Sequence, residues 1–172
     1  MSSAFGHRAV PARGGKISKN LNTRAVIRRA GEGEQVRLAG QPLVCLVTGE
    51  SSKHTSMFHW TVAAGFSTGL HVHAVQEETF YVLEGECEWQ IGEEQVRAGL
   101  GTYVFIPPGV PHSIGNASDS PAIMLMTVSP PGHEHYFEEL AKLVSGASPP
   151  DPNHIAELRS RYDTSQLSAL KK

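Results

Sequence analysis

Residues 65–85, GFSTGLHVHAVQEETFYVLEG, decide how this chain folds and what it carries. His71 and His73 stand two residues apart, and strand alternation points both imidazoles to one face. Glu78 follows at an odd offset, which one continuous strand would send to the opposite face. The chain must therefore bend between His73 and Glu78 and bring the carboxylate back from a neighbouring strand. A second stretch, residues 101–116, GTYVFIPPGVPHSIGN, adds His112 behind a Pro107-Pro108-Gly109 turn. Three imidazoles and a carboxylate, with no thiolate, suit a divalent first-row metal. The expectation is a metal site.

In spacing, the first stretch reads G-x(5)-H-x-H-x(4)-E-x(6)-G and the second G-x(5)-P-x-G-x(2)-H-x(3)-N. Together they resemble the two signature motifs of the cupin superfamily. Every specified position is filled: Gly65, His71, His73, Glu78 and Gly85, then Gly101, Pro107, Gly109, His112 and Asn116. The resemblance implies an all-β domain, a double-stranded β-helix of jelly-roll type. It also implies that His71, His73, Glu78 and His112 hold one divalent transition metal per chain: iron, manganese, nickel, cobalt or zinc. Glu77 is the rival of Glu78, because the family tolerates either spacing. Glu78 is preferred because Gly85 stands at the required seventh position after it and because it shares strand parity with Phe80 and Val82.

At 172 residues the chain suffices for one domain with a real core. A net charge of −2 argues against a dedicated nucleic-acid binder. The two cysteines, Cys45 and Cys87, do not suggest a disulfide framework and read as reduced and buried. No apolar run approaches the about 18 residues of a membrane span, and no secretory h-region is seen, so a cytoplasmic compartment is expected. Before Glu32 every ionisable residue other than histidine is basic: Arg8, Arg13, Lys16, Lys19, Arg24, Arg28 and Arg29. With Pro11 and Gly14-Gly15 among them, residues 1–22 read as a flexible basic tail.

Residues 23–129 read as the barrel. TRAVIRR, EQVRLA, PLVCLVTG, HTSMFHWTVA, TFYVLEG, ECEWQIG, TYVFIPP and AIMLMTVSP are short, rich in β-branched residues and punctuated by Gly and Pro. No internal repeat appears, so one barrel is expected. After Pro130-Pro131-Gly132 the period changes, and residues 130–172 read as a C-terminal extension with two short α-helices. Tyr136, Phe137, Leu140, Leu143 and Val144 form one helical stripe. Asp151-Pro152 reads as an N-cap and first helical position before Ile155, Leu158 and Tyr162. His133 and His135, at the start of the first helix, read as surface or cap residues. This C-terminal pattern resembles single-domain quercetin-dioxygenase-like cupins.

Between His54 and Phe137 the only Lys or Arg is Arg97, in a segment that reads as a hairpin turn. Unless a basic residue from a tail reaches in, the cavity then lacks a cation for a phosphosugar or 2-oxoacid. The expected substrate is a small, largely apolar phenolic or enolic molecule, in contact with Phe58, Trp60, Phe80, Val82, Val104 and Ile114. The resemblance implies a metal-dependent dioxygenase of quercetinase type, with Glu78 as ligand and proton acceptor. The alternatives are a zinc-dependent polyketide cyclase or isomerase and a non-catalytic binding cupin. A homodimer is expected, with the β-prone residues 24–46 as the exchanging edge.

Overall fold

The structure is a computed structural model that describes residues 25–38, 40–146 and 150–167. The whole of the expected basic tail, residues 1–22, and residues 23–24 of the expected barrel lie outside these. Strands β1 (Glu34–Leu38), β2 (Gln41–Val47), β3 (Ser56–Val62), β4 (His71–His73) and β5 (Glu77–Glu84) come first. They are followed by β6 (Glu86–Ile91), β7 (Glu94–Gly99), β8 (Tyr103–Ile106), β9 (His112–Gly115) and β10 (Ala122–Ser129). Helices α1 (His133–Val144) and α2 (Pro152–Arg161) and a last strand, β11 (Thr164–Gln166), complete the described chain.

Period-two burial explains why these segments pair as they do. In β3, Ser56, Phe58, Trp60 and Val62 are buried while Met57, His59 and Thr61 are less so; β10 buries Ala122, Met124, Met126 and Val128. The antiparallel register sets Met124 opposite Trp60 and Met126 opposite Phe58, so the apolar faces coincide. One sheet runs β1-β2-β3-β10-β5-β8 and the other β11-β4-β9-β6-β7, all antiparallel. Their inner faces enclose Phe58, Phe80, Val82, Trp89, Ile106 and Ile114. Each such side chain contributes about 1.5–3 kcal/mol of burial. The two sheets form a double-stranded β-helix, with two C-terminal helices.

Two turns hold the barrel's ends. Gly85 joins β5 to β6 at φ 73°, and a Cβ there would meet Ala122 at 3.1 Å, so glycine answers both conformation and space. Asn116 is buried after β9: its Nδ2 donates to Val62 O and Ser120 O, and its Oδ1 accepts from Ser118. Asp151 caps α2 by accepting from Asn153 N at 2.8 Å, with Pro152 in the first turn, as the sequence suggests. Phe137 of α1 meets Phe58 edge-on at 5.2 Å, which seats the helical extension against the barrel.

Two readings differ from the structure. The TRAVIRR segment is not a strand over its described residues, and β1 begins only at Glu34. Val26 and Ile27 are exposed there, for β-branched residues form a strand only where a neighbour offers ladder bonds. Arg97 stands on β7 and not in a turn, where it pairs with Glu86 and Glu88 on the surface. The hairpin turn itself is Gly92-Glu93, between β6 and β7. Cys45 and Cys87 are free and buried, and burial pushes both thiols up to about 12.

Candidate metal centre

Strand β4 places His71 and His73 on one face, and β9 sets His112 directly opposite His71 in the ladder. The bend after His73 carries the chain out of one sheet into the other, so Glu78 reaches in from the facing sheet. Glu77 points to solvent, which settles the parity choice between the two carboxylates. All four ligand atoms lie within 4.8 Å of one another, and all four residues are buried.

The imidazoles are oriented from behind. His71 Nδ1 lies 2.9 Å from Gly69 O, His73 Nδ1 2.9 Å from Asp163 O and His112 Nδ1 2.9 Å from Val110 O. A carbonyl oxygen only accepts, so each Nδ1 donates its hydrogen and each Nε2 of a neutral ring presents a lone pair to the centre. His112 Nε2 faces Glu78 Oε2 at 2.9 Å, and His73 Nε2 faces Oε1 at 3.4 Å. A lone pair opposed to a carboxylate calls for a cation between them. His73 Nε2 is moreover buried without a hydrogen-bond partner. The donor set, three nitrogens and one oxygen, therefore fits a divalent transition metal.

Electrostatics agree with that fit. Burial, helped by the nearby His112, pushes His71 down to about 3, so it is a neutral donor at ordinary pH. Burial works to raise the Glu78 carboxyl, but the facing His112 and His73 rings outweigh it and hold it below the usual carboxylate range. Burial works to lower His73, and the pairing with Glu78 raises it above its ordinary value.

A cavity of about 440 Å³ opens onto three of these ligands, His71, His73 and Glu78. Its wall is mostly apolar: Trp60, Phe66, Ile114, Met126, Phe137 and Leu140. Both helices contribute, so the C-terminal extension closes the end of the barrel where the cluster lies. Of the residues expected to touch substrate, Trp60 and Ile114 line this cavity, whereas Phe58, Phe80, Val82 and Val104 are packed in the core and not on its wall.

Three polar residues on or behind the wall escaped the sequence reading. His133 is buried, not a surface cap; its ring lies 6.0 Å from that of His73, its Nδ1 has no partner, and burial pushes it down to about 4. Asp163 accepts from the backbone of Ala74, Val75 and Gln76 at 3.1, 2.8 and 2.8 Å, which fixes the bend, while its carbonyl holds His73. Arg159 of α2 brings a guanidinium into the cavity, against the expectation of a cation-free wall. No local sequence signal marked these three; Asp163 stands at φ 54° just after α2, which only the structure shows.

Residues 58–128 match the family model described as the cupin domain. Over 74 residues the chain is 36% identical to the uncharacterized protein MJ1618 of Methanocaldococcus jannaschii, covering 42% of this chain and 59% of that protein. Over 87 residues it is 31% identical to the tetracenomycin polyketide synthase protein TcmJ of Streptomyces glaucescens, covering 49% of this chain and 58% of that protein. The chain thus spans less than two thirds of the length of either curated relative. Among solved structures it is similar in fold to the polyketide cyclase RemF of Streptomyces resistomycificus: TM-score 0.54, 19% identity, 62% of this chain and 80% of that one. The stretch that matches the cupin domain holds a cluster of three histidines and one glutamate that could bind a metal ion. Among the described residues no helix is long and apolar enough to cross a membrane.

Proposed function

We propose that this protein is a metal-dependent enzyme acting on a small phenolic or enolic substrate held in the helix-closed end of the barrel. The observation that carries this reading is the convergence of the His71, His73, His112 and Glu78 donor atoms beside an apolar cavity. A bound divalent cation would supply Lewis acidity toward a carbonyl, enol or phenol oxygen, and the ligand count leaves coordination room for such an oxygen. The chain's own residues do the rest. Trp60, Phe66, Ile114 and Phe137 supply flat apolar surface for an aromatic or polyketide-like skeleton. Two wall groups can handle a substrate proton: Glu78, which is ionised, and His133, which is neutral at pH 7 and has a free ring nitrogen.

Oxygen-independent proton transfer, of the cyclase or isomerase kind, is the preferred reaction. The partial likeness to TcmJ supports it, a protein described as part of a polyketide synthase. Dioxygenase chemistry of the quercetinase kind is the second reading, supported by the enclosed apolar site and its three-nitrogen, one-oxygen donor set. One experiment separates them: a panel of flavonols and 1,3-dicarbonyl compounds turned over with and without dioxygen, with metal content measured by mass spectrometry. Turnover in the absence of oxygen upholds the cyclase or isomerase reading. Strict oxygen uptake with loss of substrate upholds the dioxygenase. Binding without turnover in either atmosphere leaves a ligand-binding cupin. The same proposal includes a homodimer, for which exposed Val26 and Ile27 offer an edge; a monomeric mass by light scattering would count against it.

A further inference from the structure

Arg159 sits where a solvated cation is not expected. Its side chain is 6% exposed, and it forms part of the wall of the cavity that holds the metal ligands. Its Nε donates to Tyr136 Oη at 3.2 Å and its Nη2 to Thr68 O at 3.4 Å. Both acceptors are neutral, for burial raises the Tyr136 hydroxyl above its ordinary range. Nη1 is buried with no partner. Among the described residues no carboxylate lies within ion-pair distance of the guanidinium, although on the surface Arg161 pairs with Glu139 and Arg97 with Glu86 and Glu88.

A buried guanidinium with neutral partners and a free nitrogen is costly. The cost is offset when an anion enters. The wall around it is mostly apolar, so little else there can answer the charge. The Nη1–Nη2 edge, one nitrogen free and the other held by a single long bond, has the planar fork that a carboxylate fits. Thr68 also ties this anchor to the metal side, since its neighbour Gly69 holds the His71 ring.

We infer that Arg159 is a specificity-determining residue that binds a carboxylate of the substrate, so that the natural ligand is an aromatic or enolic acid and not a neutral phenol. The acid group lies at α2, and the phenolic or enolic oxygen lies toward His71, His73 and Glu78. This second placement rests on the metal-enzyme reading above; the carboxylate anchor does not.

The test is calorimetric titration of the full-length protein with 2-naphthoate and 2-naphthamide, which share a shape and differ in charge. The proteins are wild type, Arg159→Met and His73→Ala, each with its metal content measured. Wild type should favour the acid by about tenfold to a hundredfold, the range of a hydrogen bond to a charged group. Arg159→Met should bring that ratio close to one while leaving the amide's affinity unchanged, and His73→Ala should keep the ratio. Equal binding of acid and amide by wild type overturns the inference without any variant. A preference lost in His73→Ala and kept in Arg159→Met overturns it too, since the carboxylate would then sit at the metal. If Arg159→Met does not fold, Arg159→Lys takes its place and should retain a reduced preference; an undiminished one would count against the fork. Wild type without metal would overturn the metal-enzyme reading and leave the acid-to-amide ratio as decisive as before.

Discussion

Two carboxylates are buried in this protein and differ in what they face, Glu78 at 2% exposure and Glu134 at 3%. Glu134, in the first turn of α1, is surrounded by donors. Gly49 N reaches its Oε1 at 2.6 Å, and Ser56 Oγ and Gly132 N reach its Oε2 at 2.5 and 3.1 Å. Glu78 is surrounded by imidazole nitrogens whose hydrogens are committed elsewhere. One carboxylate has its bonding completed by the protein, and the other has it left open toward a cation. The first pins a helix to the barrel between positions 49, 56 and 132. The second belongs to a cluster that could hold a metal ion. Burial alone does not distinguish them; the identity of the atoms they face does.

The comparison breaks most sharply under ligand removal. His112→Ala should lower metal content from near one per chain to a tenth or less, with the circular dichroism of the barrel retained, since the other donors alone do not complete the set. Added zinc or manganese should raise the melting temperature of wild type and not of the variant. Glu134→Ala should do the reverse, leaving metal content unchanged. Stripping three buried donors of their acceptor should cost about 3 kcal/mol in denaturant unfolding. If Glu134→Ala empties the metal site, or His112→Ala unfolds the barrel, the division between the two carboxylates is wrong.

Next in size is Asp163, which stands between the two kinds. Its side chain fixes the bend at residues 74–76 and its carbonyl orients His73. Asp163→Ala should weaken metal affinity about 10- to 100-fold, as loss of an outer-sphere partner does. Asp163→Asn, which keeps an acceptor and tolerates φ 54°, should recover most of it. Equal affinities for wild type and the alanine variant, read by competition with a chelating dye, would reduce Asp163 to a turn residue.

These residues also mark where the sequence stopped being readable. The barrel strands and the four ligands were legible because strand parity and turn glycines are local signals, and because the offset between His73 and Glu78 forces a crossing. Asp163, Arg159 and Glu134 were not, because each has a partner 85 residues or more away and no local period encodes a helix's docking azimuth. The window that excluded a cation stopped at Phe137, and α2 delivers Arg159 from beyond it. His133 misled for a related reason. At a helix start, solvent is the usual neighbour, but Gly132 at φ 118° turns this one into the cavity. Trp60 and Phe58 share a strand face, yet only Trp60 lines the cavity, because Phe137 of α1 packs on Phe58.

The smallest expected effect is a matter of pH, and it isolates Glu134 from everything around Glu78. Burial works to raise Glu134, but the bonds from Ser56, Gly49 and Gly132 outweigh it, so its folded pKa lies below the ordinary carboxylate value. A depressed carboxylate contributes stability that is present above the unfolded pKa and lost as pH falls through the folded one. His71 and His133, held neutral by burial, lose stability earlier, as the unfolded imidazoles take up protons below about 6.5. His73, raised by its pairing with Glu78, acts in the opposite sense and favours the fold as pH falls. All three histidines are common to wild type and Glu134→Gln, so they drop out of the difference between the two. That difference should stay flat from pH 7 to about 5 and shrink only below about 4.5, where the carboxylate begins to be protonated in the unfolded chain. Urea unfolding of both proteins at half-unit steps measures it. A gap that already narrows near pH 6 would mean that Glu134 is coupled to the histidine cluster, and the two buried carboxylates would then form one electrostatic unit.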